Sequence, residues 1–88
     1  MTARRTDANQ AEIVEALRMA GRKVQDLHGV GRGCPDLLVL CPSGALVLLE
    51  VKTPAGKLNE RERDWLLEWD GAAAFVVRTV EEAIRCSY

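Results

Sequence analysis

The chain has no apolar run approaching the ~20 residues that cross a bilayer, and its 88 residues include one histidine and three cysteines. Each scarcity excludes something. No membrane span can be placed in the sequence, and the polar opening "MTARRTDANQ" carries no apolar signal segment, so a cytoplasmic protein is expected. Cys34, Cys41 and Cys86 are odd in number and form no CxxC pair. That pattern suits neither a disulfide framework nor a zinc site, and buried thiols are expected instead. Repeats and low-complexity tracts are lacking too. So is an excess of positive charge: Lys and Arg total 12 against 13 Asp and Glu, for a net charge of −1. A protein that coats nucleic acid by bulk electrostatics is thereby excluded. An enzyme that grips phosphate through a few local cations and a metal is not.

What is present suits a small globular domain. A hydrophobic fraction of 48% with mixed charge is that of a folded, soluble protein. Residues 1–88 have room for one domain with a modest core, and dimerisation would add to its stability. Residues 7–20 place Ile13, Val14, Leu17 and Ala20 at helical spacing, with Gly21 as the stop. A short strand is expected over 23–27, followed by the glycine-rich loop "HGVGRGC" and a hairpin from residue 35 to 52. Asn59 can cap a second helix, with Glu62 at its third position completing a capping box. That helix carries Trp65, Leu66 and Trp69 and stops before Gly71. "AAAFVVR" reads as a further buried strand, and Thr79 caps a final helix with Glu82 at its third position. The order α-β-β-β-α-β-α predicts an α/β layer with a mixed sheet.

The hairpin "PDLLVLCPSGALVLLEVK" is apolar except for Asp36, Glu50 and Lys52. A three-residue loop of Pro42, Ser43 and Gly44, with Gly44 left-handed, sets residue 38 opposite 48 and therefore Asp36 opposite Glu50. Residues 36, 50 and 52 then share one face of the sheet. Directly opposed residues have Cβ atoms about 4.5–5.5 Å apart. Two bare carboxylates at that range repel, and a hard divalent cation would convert the repulsion to chelation. Lys52, one step along the same face, would hold the attacking water or offset charge on a transferring phosphate. A slip of one residue would undo the arrangement.

"PD", a spacer and "EVK" resemble the PD-(D/E)xK nucleases. With "NQAEIVEAL", "GVGRGCPDLLV", "LLEVKTPAGKL" and "AFVVRTVEEAI", nearly the whole chain resembles the VRR-NUC family in its small stand-alone, phage-type form. The resemblance implies a restriction-endonuclease-like αβββαβ core in which Asp36, Glu50 and the Val51 carbonyl hold Mg²⁺, with Mn²⁺ as a substitute, and Lys52 positions the attacking water. It also implies a metal-binding glutamate on the first helix. Glu12 flanks that helix's apolar face while Glu15 lies nearly opposite its centre, so Glu12 is the choice. Asn9, nearer the apolar face, would support the site from behind. Where the family often has a Gln three residues after a Thr-Pro start, this chain has Glu62 after the capping Asn59.

The expected activity is Mg²⁺-dependent endodeoxyribonuclease hydrolysis of branched DNA such as a four-way (Holliday) junction, by a homodimer. The alternative is a DNA-binding or assembly module that keeps the fold without turnover. His28, Arg32, Lys57, Arg61 and Arg63 are the candidate DNA contacts. Glu60 and Glu62 dilute the positive charge of the last group. Trp65 and Trp69, four residues apart, read as core or subunit contact in preference to a base-stacking platform.

Overall fold

The computed structural model describes residues 9–88. The polar opening and the first two residues of the expected first helix lie outside that range. Helix α1 (Gln10–Met19) buries Ile13 and Leu17, and Gly21 ends it at φ 86°. The N–H of Arg22 donates to the Leu17 carbonyl at 3.0 Å and that of Gly21 to the Arg18 carbonyl at 3.1 Å, the paired closure of a Schellman motif. Ala20, expected in the apolar stripe, is exposed at the C-cap.

Strands β1 (Lys23–Asp26), β2 (Leu37–Leu40), β3 (Leu46–Val51) and β4 (Ala74–Val77) lie side by side in chain order. The β1–β2 and β2–β3 pairs are antiparallel and β3–β4 is parallel, so the sheet is mixed. The parallel pair requires a crossover, which α2 (Glu60–Glu68) supplies. Helix α3 (Val80–Arg85) follows β4. The hairpin register pairs Leu38 with Leu48 and Leu40 with Leu46, and Gly44 takes φ 93° in its turn, as the sequence predicts.

Alternation along β2 and β3 decides what the sheet buries. Leu37, Val39, Val47, Leu49, Val51 and Val77 are buried against Ile13 and Leu17 of α1 and Ala83 of α3. Each such side chain stabilises the fold by roughly 1.5–3 kcal/mol. On the other face Leu38, Leu40 and Leu48 are half-buried and Leu46 is exposed. β4 is an edge strand in which only Val77 is fully buried, so the reading of a wholly buried strand there is corrected. Its outer neighbour is solvent, and Phe75 is exposed.

The C-terminus is tied down by a residue that carries no pattern in the sequence. Arg22 is buried, and its Nε donates to the backbone oxygen and Oγ of Ser87, both at 3.1 Å. Its Nη1 donates to the Ala20 carbonyl at 2.7 Å and its Nη2 to Ile84 at 3.3 Å. The guanidinium thus sits at the negative ends of α1 and α3, which is why it tolerates burial without a carboxylate. Of the three cysteines Cys41 is buried and Cys34 and Cys86 are half-buried; all three are free thiols.

Candidate active site

A cavity of about 270 Å³ opens where β2 begins and β3 ends, lined by Asp36, Glu50, Val51, Lys52 and Glu62 among others. Continuing the register one step past Leu37–Leu49 sets Asp36 opposite Glu50. Asp36 is oriented by its own hairpin: its Oδ2 accepts the Val51 N–H at 2.8 Å. Burial raises the Asp36 carboxyl above its ordinary range, outweighing the Val51 hydrogen bond, contact with Glu50 and the Lys52 charge. Glu50 is only 3% exposed. Its carboxyl is pushed up to about 9 by burial first, then by the charges of Asp36 and Glu62. These are acids held together against their electrostatics.

Lys52 stands on the same sheet face. Its Nζ lies 3.7 Å from Glu50 Oε2 but 2.9 Å from Glu62 Oε1, and it donates to Glu62 Oε2 at 3.1 Å. Glu62 is itself fixed by the helix start. Its N–H donates to Asn59 Oδ1 at 2.8 Å and its Oε1 accepts the Asn59 N–H at 2.9 Å, the reciprocal capping box expected. Burial pushes the Glu62 carboxyl up, yet the Asn59 N–H and Lys52 outweigh it and hold it below its ordinary value. The sequence predicts only a capping role for Glu62. The signal for its second role is its place where the nucleases this chain resembles often have Gln.

Behind the cavity the end of β3 is clamped. Asn9 Nδ2 donates to the Lys52 carbonyl at 3.1 Å and to the Arg78 carbonyl at 2.9 Å. The expectation that Asn9 supports the site from behind is met. Arg78 Nη1 donates to the carbonyls of Thr53 at 2.8 Å and Gly56 at 2.6 Å, fixing the turn that follows Lys52. In front, the loop expected from "HGVGRGC" brings His28, Arg32 and Cys34 to the cavity. Burial, then the charges of Glu50 and Asp36, raise the Cys34 thiol above its ordinary value.

Some expected residues are placed elsewhere. Glu12 is exposed and does not line the cavity. At 3.6 residues per turn it sits ~130° from the centre of the stripe formed by Gln10, Ile13 and Leu17, too far round to reach the sheet. The assignment of Glu12 to the carboxylate site is corrected accordingly, and Glu15 is exposed too. His28, Arg32 and Arg61 line the cavity, whereas Lys57 and Arg63 do not. Arg63 Nη1 donates instead to the Leu58 carbonyl at 2.9 Å. Trp65 and Trp69 stack on one another, centroids 5.0 Å apart and planes 7° from parallel, and Trp69 is exposed, so they are no part of the core.

Among the described residues no group of three or more His, Cys, Asp or Glu side chains is arranged to hold a metal ion. Asp36 and Glu50, with Val51 lining the same cavity, nonetheless suit a cation that takes one or two carboxylates and keeps several waters. The raised Asp36 and Glu50 carboxyls fit such a role, since a hard cation would relieve their mutual repulsion. No helix among the described residues is long and apolar enough to cross a membrane.

Residues 2–81 match the family model for the VRR-NUC domain. A solved structure of a "VRR_NUC domain" is similar over 86% of this chain and 86% of that chain, at 31% sequence identity and a TM-score of 0.65. No curated protein matches the sequence.

Proposed function

We propose that this chain, which belongs to the VRR-NUC family, is a metal-dependent structure-selective endonuclease that hydrolyses phosphodiester bonds in branched DNA such as four-way junctions. Family membership makes it a nuclease-type, DNA-acting protein. The observation that carries the finer reading is the meeting of Asp36, Glu50 and Lys52 in one cavity at the end of a rigid hairpin.

Asp36, Glu50 and the Val51 carbonyl would hold Mg²⁺, or Mn²⁺ in its place. The bound cation supplies Lewis-acid chemistry at the phosphodiester. The Val51 N–H keeps Asp36 aimed at the cavity, and Glu62 holds the Lys52 ammonium beside Glu50. From there Lys52 orients the attacking water and faces the charge that builds on the phosphate oxygens. The water oxygen bonds to phosphorus as the bond to the departing sugar oxygen breaks, with no covalent enzyme intermediate. A net charge of −1, with 12 Lys and Arg against 13 Asp and Glu, favours contacts to backbone and shape over base reading. One module has one such cavity, so cutting both strands at a branch calls for a C₂ homodimer. We place the activity in the cytoplasm, consistent with the chain's polar, mixed composition.

The test is cleavage of a labelled four-way junction beside linear duplex and flap substrates, with Mg²⁺, Mn²⁺ or EDTA, by wild type and Lys52→Ala. Paired metal-dependent cuts near the branch, lost in the variant, are expected. Equal cutting of all substrates would remove the junction claim and keep the chemistry. A folded protein that binds DNA and cuts nothing with either metal would be the silent binding module instead.

A further inference from the structure

Arg32 is the one non-glycine residue with positive φ among the described residues, at 59°, between Gly31 at 74° and Gly33 at 80°. The Cys34 N–H donates to the Gly31 carbonyl at 3.1 Å, so Arg32 and Gly33 are the central pair of a tight turn with both φ angles positive. Such turns strongly favour Asn, Asp or Gly at the first central position, because a Cβ is strained there. An arginine in that place is an outlier that local folding does not require.

The turn is held against the second helix. A Cβ at Gly33 would collide with the backbone carbonyl of Arg61, so the two segments touch directly. This contact brings Arg32 and Arg61 together at the mouth of the carboxylate cavity. Both also line an adjoining groove of about 320 Å³, whose remaining walls are Asp64, Trp65 and Glu68. Neither guanidinium makes a hydrogen bond or ion pair with the described residues. Two uncommitted arginines thus stand where the cavity passes into the groove, between the carboxylates of the cavity and Asp64 and Glu68 of the groove.

We infer that Arg32 and Arg61 form a phosphate subsite that holds the DNA backbone phosphate adjacent to the one being cut. The inference rests on the nuclease reading and adds to it a place where the strand is fixed. Guanidinium forks suit a phosphodiester, which offers two oxygens in the geometry they bind. The left-handed turn is retained because it directs Arg32 to that phosphate.

The test uses the full chain with wild type, Arg32→Gly and Arg32→Lys, titrated into labelled junction and linear DNA with Ca²⁺ replacing Mg²⁺, across a salt series. Thermal midpoints and Mg²⁺-dependent cleavage are measured alongside. Arg32→Gly removes the charge and relieves the backbone together. It should therefore melt no lower than wild type, bind DNA about fivefold to tenfold more weakly, and lose about one unit of salt slope. Arg32→Lys should keep most of the slope. An unchanged slope in Arg32→Gly, whatever its midpoint, overturns the subsite while normal cutting leaves the nuclease reading in place. If wild type neither binds nor cuts DNA, the nuclease reading itself has failed and takes the subsite with it.

Discussion

Lys52 lies in the fork of Glu62, 2.9 Å from Oε1 and 3.1 Å from Oε2, and is 3.7 Å from Glu50. The helix start therefore sets where the lysine's charge rests. Glu62→Gln should separate the two tasks of this residue, because Gln completes a capping box equally well but carries no charge. Stability should fall by about 1–2 kcal/mol, because the charge-assisted bond to Lys52 becomes a neutral one while the cap is kept. Released from Glu62, Lys52 moves onto Glu50 and competes for it, and one negative charge leaves the site. The Mg²⁺ concentration for half-maximal cleavage should rise about fivefold, a cost near 1 kcal/mol. Glu62→Ala should add a capping loss of about 1 kcal/mol. A Mg²⁺ dependence identical in Glu62→Gln and wild type would refute the link.

A contrast among carboxylates tests the placement of the first helix. Glu50→Gln should abolish cleavage by ~10³-fold or more while the chain stays folded, since it removes a ligand from the site. Glu12→Ala should leave cleavage within about twofold and stability within about 0.5 kcal/mol, as expected of an exposed side chain. Parallel loss in both variants would return Glu12 to the site.

Stability should respond to pH through Glu50. Its carboxyl is raised from 4.5 to about 9 by burial and the neighbouring acids, so the folded state binds the proton more tightly than the unfolded one. That contribution is fully present below about pH 4.5 and is lost as pH rises through about 9. Asp36, also raised, acts in the same direction. Without divalent metal, the urea midpoint of wild type should fall between about pH 5 and 9, and that of Glu50→Gln should fall much less. Glu62, held low, contributes stability that disappears only on the acid side, as pH falls through its folded value. Equal slopes for the two proteins would show that Glu50 is not held protonated.

Arg22 offers a test of the fold apart from the site. Arg22→Ala leaves carbonyls at the ends of α1 and α3 without their donor. The loss should be about 3 kcal/mol, a fall in Tm of roughly 12–24 °C in a domain this size. A fall of only a few degrees would mean that water replaces the guanidinium.

The hairpin was legible because two local signals agreed: the period-2 apolar pattern and the Pro-Ser-Gly loop. Together they set the register that places Asp36 opposite Glu50. The capping box at Asn59 is likewise a signal four residues long. Arg22 and the left-handed Arg32 were not legible, because their partners lie elsewhere in the chain or their conformation breaks the local preference. Glu12 misled for a related reason. Helical spacing ranked it against Glu15 but could not say how far round the helix the sheet's edge would fall. Asn9, one turn earlier, is the residue whose side chain reaches Lys52's carbonyl.

Gly33 joins the two halves of the site, and its substitution should show how much that contact matters. At Gly33 a Cβ meets both a left-handed backbone, φ 80°, and the Arg61 carbonyl; at Gly44, φ 93°, it meets the backbone penalty alone, with open space around it. Gly44→Ala should therefore cost about 1–2 kcal/mol. Gly33→Ala should cost more, since the obstruction is backbone and cannot rotate away. The turn must withdraw from the first turn of α2, the turn that also carries Glu62 and through it fixes Lys52. Cleavage should then fall in Gly33→Ala even under conditions where the variant is fully folded, and should be normal in Gly44→Ala. If both alanine variants lose equal stability and keep full activity, the turn and the helix are not mechanically joined, and Lys52 is placed by β3 alone.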